Sequence, residues 1–140
     1  MTRVYTDMVA DLFHYGHVEL LRRASELGDE LIVGIHSDDT VASYKRRPVM
    51  TMDERVRVVR GCRHVDEVVP DAPLELTRPY IERHRVDVVV HGDDLSAENL
   101  ELMYRVPRDM GILKLVPYTP SISTSDILAR LERQLRGSTT

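Results

Sequence analysis

The stretch that decides the fold is residues 3–27, RVYTDMVADLFHYGHVELLRRASEL, which runs from a strand pattern through a glycine into a helical pattern. Residues 3–10 predict the first β-strand. After Gly16, apolar side chains return close to the helical period until Gly28, a residue type that often ends helices. A strand that turns into a helix at a glycine is the building unit of a parallel sheet, so this stretch predicts a sheet with helices packed against it.

The same alternation continues along the chain. We predict further strands at residues 30–36, 67–69, 86–91 and 111–116, and further helices at residues 52–61, 74–84, 97–109 and 124–135. The strands carry continuous Val and Ile runs, which are typical of strands covered on both faces. The predicted fold class is therefore α/β, a three-layer, Rossmann-like parallel sheet of about five strands with about five helices.

Composition indicates one soluble globular domain. The chain has 140 residues, of which 30% are charged and 42% hydrophobic, which suits a packed core and excludes a fibrous or disordered protein. We predict a single domain over residues 1–136 and a flexible tail over residues 137–140. The formal net charge of -4 offers no broad basic face, so nucleic acid is not an expected partner.

The cysteine count and the hydropathy pattern indicate the cellular compartment in which the protein is expected. Cys62 is the only cysteine, which excludes an internal disulfide and a cysteine-built metal cage within one chain. The sequence shows no secretory leader pattern and no apolar run of membrane-spanning length. We therefore expect a cytoplasmic protein that is not attached to a membrane.

The residues around the first turn predict an anion site at the carboxyl ends of the strands, where ligands collect in such folds. Gly16 allows close approach of the backbone, and the helix that follows offers unpaired N–H groups to phosphate. His14 and His17 add donors that can neutralise charge on a pentavalent phosphorus as pyrophosphate departs. A transition-metal site built from Asp11 and the two histidines is the alternative that these residue types leave open.

Several short segments carry a resemblance to a known family. Residues 14–17, HYGH, resemble the HxGH signature of the nucleotidyltransferase superfamily. ATP-using members, such as pantetheine-phosphate and nicotinamide-mononucleotide adenylyltransferases, share that signature. Residues 122–125, ISTS, are similar to the ISTS or ISTT segment of the cytidylyltransferase branch, which includes enzymes for glycerol 3-phosphate, phosphocholine and phosphoethanolamine. Lys45, residues 63–68 (RHVDEV) and residues 91–94 (HGDD) agree with that branch in order and spacing.

The resemblance implies an HxGH nucleotidyltransferase fold and an enzyme that transfers CMP from CTP to a small phosphate or phosphonate acceptor, with release of pyrophosphate. It implies Mg²⁺ as the companion of CTP, carried largely by phosphate oxygens. The implied attack is direct and in line, without a protein nucleophile. The resemblance also implies a homodimer, with residues 63–68 as a plausible contact.

Roles follow from matching positions. The catalytic residues implied are His14, His17 and Lys45. The nucleotide-binding residues implied are Asp11, Gly16, Arg55, Arg63, Asp93, Ser123, Thr124 and Ser125. For the acceptor, we expect contacts from Arg46, Asp94 and Tyr118. Serine and threonine hydroxyls at the start of the last helix suit the outer phosphates, and one of them is expected to cap that helix.

Two departures from the family pattern leave alternatives open. Residues 8–11, MVAD, stand where the first strand of the family usually ends in glycine, a small or polar residue, Phe and Asp, and Tyr118 stands near a usual arginine. The alternatives are a nucleotide-binding module without turnover and a metal-dependent phosphohydrolase built on Asp11, His14 and His17. Because the chain has one Phe, no Trp and many Arg residues, we expect an anionic acceptor rather than choline, with polyol phosphates, phosphoethanolamine and phosphonates open.

Overall fold

The computed structural model describes residues 1–120 and 122–137, and its five strands form one parallel sheet. The strands are β1 (Arg3–Met8), β2 (Glu30–Ile35), β3 (Glu67–Pro70), β4 (Val88–Gly92) and β5 (Leu113–Val116). Their order is β3-β2-β1-β4-β5, and every neighbouring pair is parallel. The chain thus builds outward from β1 in one direction and then in the other, which places a crevice beside β1 at the carboxyl edge of the sheet. The predicted α/β class is confirmed.

Seven helices lie in the described part of the chain. They are α1 (Tyr15–Ser25), α2 (Asp38–Ala42), α3 (Met52–Arg60), α4 (Arg78–Arg83), α5 (Ala97–Met103), α6 (Arg105–Asp109) and α7 (Thr124–Leu135). The bounds of α7 are those expected from the sequence. α3 begins after the capping box formed by Thr51 and Glu54, in which each side chain accepts a hydrogen bond from the other residue's backbone N–H.

The predicted helix over residues 97–109 is wrong as one element, because the chain breaks at Tyr104. Pro107 lacks a backbone N–H and its ring clashes with the carbonyl four residues earlier, so a continuous helix through this point is unfavourable. That carbonyl, on Met103, instead accepts a hydrogen bond from the N–H of Leu76. The break therefore leaves the aromatic ring of Tyr104 buried beside the sheet instead of on a helix surface.

The bounds of other elements also differ from the predicted ones. There, the backbone conformation or the capping residue of a turn decides where the element starts or ends, and not the apolar pattern. β1 stops at Met8 because Ala10 takes a positive φ of 59°. α4 starts only at Arg78, after Thr77 caps its first turn. α2 was not predicted, yet Ser37 caps it and two aspartates occupy its first turn, where the helix dipole favours negative charge.

Two apolar clusters fill the two faces of the sheet. Val4 of β1 belongs to the cluster under α1 and α3, whereas the next residue, Tyr5, belongs to the cluster under α4, α5 and α6. This alternation along a buried strand confirms the three-layer arrangement. Among the described residues, no helix combines the length and the apolar character needed to cross a bilayer. The tail predicted over residues 137–140 lies, beyond Gly137, outside the described residues.

Candidate active site

A cavity of about 450 Å³ opens at the carboxyl edge of the sheet. Its lining comes from the chain just after four of the strands, with Met8 ending β1, His36 following β2, Gly92 ending β4 and Pro117 following β5. The first turns of α1 and α7 complete the wall. Two helix N-termini therefore face one cavity, and at α1 the N–H groups of Gly16 and His17 already donate to His14.

The two histidines of the first turn are fixed by the backbone. His14 is the N-cap of α1, and its Nδ1 accepts a hydrogen bond from the N–H of Gly16 at 3.1 Å. The Nδ1 of His17 accepts from the N–H of His14 at 3.0 Å. Because both Nδ1 atoms act as acceptors, each neutral ring carries its proton on Nε2. The ring of Phe13 stacks on His17, with an interplanar angle of 7°.

Both histidines are held in the neutral form. Burial, followed by electrostatic interaction with His14, lowers the pKa of His17 to about 3, against a smaller opposite effect of Asp11. Burial also lowers the pKa of His14. At neutral pH the cavity therefore receives two Nε2–H donors and no imidazolium charge.

The opening turn and the closing turn of the chain touch. A Cβ on Gly16 would lie 2.8 Å from Cε1 of His14 and 3.2 Å from Cγ2 of Ile122, so only glycine fits between the histidine ring and the ISTS segment. The hydroxyl of Thr124 donates a hydrogen bond to the carbonyl of Asp11 at 2.8 Å. The two motifs are thus parts of one wall.

The ISTS segment divides its hydroxyls between structure and cavity. Ser123 is the N-cap of α7, and its Oγ accepts from the N–H of Asp126 at 3.1 Å. The hydroxyl of Thr124 already donates its hydrogen bond to the backbone carbonyl of Asp11. Ser123, Thr124 and Ser125 all line the cavity. Because the N–H of Asp126 is taken by Ser123, the backbone N–H groups of Thr124 and Ser125 are the ones that an anion there would meet.

Asp11 anchors the segment that carries the basic residues. Its two carboxylate oxygens accept hydrogen bonds from the N–H groups of Val49 and Met50, each at 2.9 Å. Lys45 and Arg46, earlier in the same segment, line the cavity. Desolvation, followed by the charge of Arg46, lowers the pKa of Lys45, whereas Asp11 acts in the opposite direction. The carboxylate of Asp11 is therefore committed to positioning this segment.

Asp11→Asn is expected to loosen the segment around Lys45. The amide replaces one acceptor oxygen with a donor that faces a backbone N–H, which costs about 1 kcal/mol or roughly a fivefold rise in the opened population. Trypsin should then cut after Lys45 and Arg46 about fivefold faster, as followed by mass spectrometry. Asp39→Asn is the matched control, because that side chain is 93% exposed and pairs with exposed Arg47 at 3.5 Å. Equal cleavage of the two variants would contradict the anchoring role.

Three residues of the HGDD segment, His91, Gly92 and Asp94, line the cavity, and the fourth, Asp93, braces a neighbouring loop. Asp94 lines the cavity, and its Oδ1 would lie 2.7 Å from a Cβ on Gly92, so the glycine allows the carboxylate to fold over the strand end. Asp93 does not line the cavity. Its carboxylate accepts from the N–H of Tyr118 at 2.9 Å and so joins the end of β4 to the loop after β5. Tyr118 itself lines the cavity.

Two arginines expected near the nucleotide do not line the cavity. Arg55 is 0% exposed, and its guanidinium donates to the carbonyls of Met50, Val9 and His36 and to the carboxylate of Asp38. Arg63 lies instead in a separate groove near Phe13 and Val18. Four of the five N–H groups of the Arg55 guanidinium donate to groups of the protein itself, which supports a structural role.

Asp7 is a cavity residue that sequence reasoning missed. It lies in β1, its side chain is 1% exposed, and Oδ1 accepts a hydrogen bond from the hydroxyl of Tyr104. Its Oδ2 has no hydrogen-bond partner among the described residues. The available signal was a lone carboxylate inside an otherwise apolar strand, since buried carboxylates are rare unless paired. Burial, followed by Asp7, raises the pKa of Tyr44 to about 12, so a second phenol lies in the same region.

Metal-binding side chains are not grouped in the cavity. The described residues contain no cluster of three or more His, Cys, Asp or Glu side chains that could hold a metal ion. Both oxygens of Asp11 accept backbone hydrogen bonds, and the Nδ1 atoms of His14 and His17 are likewise engaged. These contacts argue against the metal site that Asp11, His14 and His17 could have formed.

The chain is similar in sequence to known cytidylyltransferases. A sequence model of the family described as cytidylyltransferase-like matches residues 6–130. A probable ethanolamine-phosphate cytidylyltransferase from Encephalitozoon cuniculi is 42% identical over 137 residues, which cover 97% of this chain and 42% of the relative. Choline-phosphate cytidylyltransferase A from Mus musculus is 41% identical over 134 residues, covering 94% of this chain and 36% of the relative.

A solved structure also matches. The lipopolysaccharide core biosynthesis protein from Thermoplasma volcanium GSS1 superposes with a TM-score of 0.69 at 25% identity, over 85% of this chain and 97% of the other. The chain spans only about two fifths or less of the length of the curated relatives above. The activities of those longer proteins therefore enter below as proposals.

Proposed function

This chain belongs to the cytidylyltransferase-like family, and from that membership we propose that it transfers CMP from CTP to a small phosphate acceptor and releases pyrophosphate. The observation that carries the proposal is the meeting of the two histidines His14 and His17 with the N-terminus of α7 around one cavity. Three linked phosphoryl groups need such a concentration of donors, and donors fixed in advance stabilise phosphate with little rearrangement.

The histidines act as neutral hydrogen-bond donors in this proposal. Their Nε2–H groups donate to phosphate oxygens of CTP, and these bonds strengthen as charge develops on the α-phosphorus and on the departing pyrophosphate. The N–H groups at the start of α7 hold the outer phosphates. Since the backbone fixes both rings through Nδ1, little reorganisation is needed during the reaction.

Lys45 and Arg46 supply positive charge to the same reaction. Lys45 bridges the α-phosphate and the acceptor phosphate, while Arg46 contacts the acceptor. A phosphate oxygen of the acceptor attacks the α-phosphorus in line, and the bond from that phosphorus to the β-phosphate oxygen breaks as the new bond forms. The attacking oxygen is already ionised, so no protein nucleophile or general base takes part.

Mg²⁺ belongs to the proposal as a companion of CTP. Of the carboxylates that line the cavity, Asp11 already accepts two backbone hydrogen bonds and Asp7 accepts one from Tyr104. Asp94 is the lining carboxylate best suited to help. This donor set fits an ion that is held mainly by phosphate oxygens and water, which is the usual habit of magnesium. The ion would neutralise phosphate charge.

Phosphoethanolamine is the acceptor that we propose. A buried carboxyl group is costly when one of its oxygens has no hydrogen-bond partner, and Oδ2 of Asp7 has none among the described residues. A cationic headgroup entering the cavity would supply the missing partner. This unpaired buried oxygen outweighs the low count of Phe and Trp residues, which had favoured an anionic acceptor. The relatives named above act on ethanolamine phosphate and choline phosphate, both of which carry a cationic nitrogen.

A homodimer and a cytoplasmic location stay predictions. The groove that holds Arg63 is lined by apolar groups of α1 and α3, including Val58, which is 40% exposed. We propose that a second copy covers this groove, next to residues 63–68. The division into one domain over residues 1–136 likewise stays a prediction.

A pyrophosphate-release screen tests the proposed function. CTP, ATP, GTP and UTP, each with Mg²⁺, are offered with phosphoethanolamine, phosphocholine, glycerol 3-phosphate and 2-aminoethylphosphonate. We expect release only with CTP, and fastest with phosphoethanolamine. A rise of the melting temperature with CTP but no release with any acceptor would instead indicate a binding module without turnover. Release of phosphate from the acceptors without CTP would indicate a phosphohydrolase.

A further inference from the structure

Two other aromatic rings pack against the imidazole of His17. The ring centroid of Phe13 lies 5.3 Å from that of His17 with an interplanar angle of 7°, and the centroid of His14 lies 3.9 Å away with an angle of 36°. The near-parallel pair with Phe13 is an offset stack, an arrangement that aromatic rings prefer. The N–H of His14 fixes one atom of the imidazole, its Nδ1, whereas the stack fixes the plane of the ring.

Phe13 belongs to a different surface from the two histidines. It lines the groove that also holds Arg63, whereas His14 and His17 line the cavity. Because Phe13 also stacks on His17, the phenyl ring stands between that groove and the imidazole. Phe13 packs in addition against the apolar cluster under α1 and α3. The phenyl ring therefore closes the back of the active-site wall.

The backbone just before Phe13 is strained. Ala10 and Leu12 have positive φ angles of 59° and 49°, and such a conformation costs about 1–3 kcal/mol at a residue other than glycine. It persists only where the surrounding contacts determine it. Asp11, between the two, binds the segment that carries Lys45, and Phe13 follows directly. The turn thus gives up backbone stability in order to place two side chains beside the cavity.

We propose that Phe13 is a positioning residue, which keeps the imidazole of His17 in one plane and shields it from the water of the groove, so that the ring meets phosphate as a neutral Nε2–H donor. The proposal rests on the proposed function and concerns a residue that does not touch the substrate. A ring that swings out of this plane loses the alignment of its N–H with a phosphate oxygen. Misplacement of a catalytic group by about 1 Å can lower a rate by about 10²-fold.

The groups around His17 show why shielding matters. Desolvation is the largest influence on the pKa of His17 and lowers it to about 3. His14 and Lys45 act in the same direction, whereas the carboxylate of Asp11 acts in the opposite one. Because desolvation comes first among these causes, the neutral state of the ring depends mainly on the groups that keep water away from it.

Protonation of His17 would damage the site in two ways. A protonated Nδ1 could no longer accept the hydrogen bond from the N–H of His14, so the cap of α1 would be lost. The ring would then also be released from the orientation that the cap imposes. On the groove side, Arg63 and His64 are the polar neighbours, and Phe13 separates them from the imidazole.

Kinetics of Phe13→Leu test the role. Leucine is still apolar but has no flat face, so kcat with CTP and phosphoethanolamine should fall about tenfold while the KM for CTP stays within about twofold. The same substitution in a His17→Asn background, which has no Nε2–H, should lower kcat by less than about twofold, because Phe13 acts only through His17. Phe13→Tyr keeps the aromatic ring and should restore kcat to within about threefold of the parent.

A second measurement needs no substrate. Long-range 1H–15N correlation spectra of the full chain show which ring nitrogen of His17 carries a proton, and His17→Asn assigns the signal. In the parent protein the ring should stay neutral, with its proton on Nε2, from about pH 8 down to about pH 5. In Phe13→Leu the titration midpoint should move upward by about one pH unit or more, because water reaches the ring. Val58→Ala is the matched control, since it removes apolar surface from the same groove and leaves the stack, and its His17 should titrate as in the parent.

The outcomes separate this proposal from the proposed function. Equal losses of kcat in the parent and His17→Asn backgrounds would overturn the role of Phe13 and leave cytidylyl transfer standing. An unchanged titration in Phe13→Leu would also overturn it, as would a parent His17 that titrates near the ordinary pKa of histidine, a result that requires no variant to fold. If no acceptor yields pyrophosphate, the proposed function fails, and the spectra alone still decide whether Phe13 holds the ring neutral.

Discussion

His17→Asn is expected to lower kcat for CMP transfer by about 10²- to 10³-fold, the loss found when one preorganised donor at a developing charge is removed. The asparagine Oδ1 takes the place of the histidine Nδ1, so it can still accept from the N–H of His14 and keep the cap of α1. What disappears is the Nε2–H donor. The substitution therefore separates the catalytic group from the structural one on the same side chain.

Two further variants show whether the loss of kcat comes from the Nε2–H donor of His17. His17→Gln places an N–H near the position of Nε2 but gives up the cap acceptor, so it should retain more activity than His17→Asn while losing about 0.5–2 kcal/mol of stability. His84→Asn is the matched control, because that ring contacts Tyr80 and does not line the cavity. Its kcat should stay within twofold of the parent. A His17→Asn enzyme of normal melting temperature that keeps its kcat within a few-fold would sink the donor role.

The sequence alone could predict that residues 14–17 and residues 122–125 meet at one cavity. Gly16 marks the turn from a strand into a helix, and parallel strands end at one edge, so loops distant in sequence meet there. The structure places Ile122 and Thr124 directly against that turn. The pattern of periods and caps was sufficient here because α1 and α7 each carry a local signal for where they begin.

The acceptor side of the cavity could not be predicted in the same way. Asp7 and His36 stand in or beside apolar strands, and nothing local says that the two side chains approach each other. Their approach depends on the register between β1 and β2, which pairs Asp7 with Gly34. Tyr104 reaches Asp7 only because the helix predicted over residues 97–109 is broken. These contacts are set by tertiary packing, for which a single sequence gives no signal.

The role of Arg55 could not be predicted for a different reason. A matching position in a family motif does not show whether the side chain contacts the ligand or supports the fold around it. Its guanidinium joins the ends of β1 and β2 to α2 and to Met50, the residue before the cap of α3. Asp11 binds the N–H of the same Met50. Arg55 and Asp11 therefore hold opposite sides of one peptide region, at the end of the segment that carries Lys45.

Arg55→Met should accordingly destabilise the fold by about 2–4 kcal/mol, since methionine keeps the apolar stem but leaves three carbonyls and Asp38 without the buried guanidinium. Arg57→Met is the matched control two residues along the same helix, where the ion pair with Asp53 is 76% and 73% exposed and is worth at most about 0.5 kcal/mol. Urea unfolding without nucleotide measures both. A direct nucleotide contact predicts the reverse pattern: Arg55→Met would then unfold like Arg57→Met and lose affinity only for CTP. Because the two readings differ in a measurement made without CTP, unfolding alone decides whether Arg55 supports the cavity or binds within it.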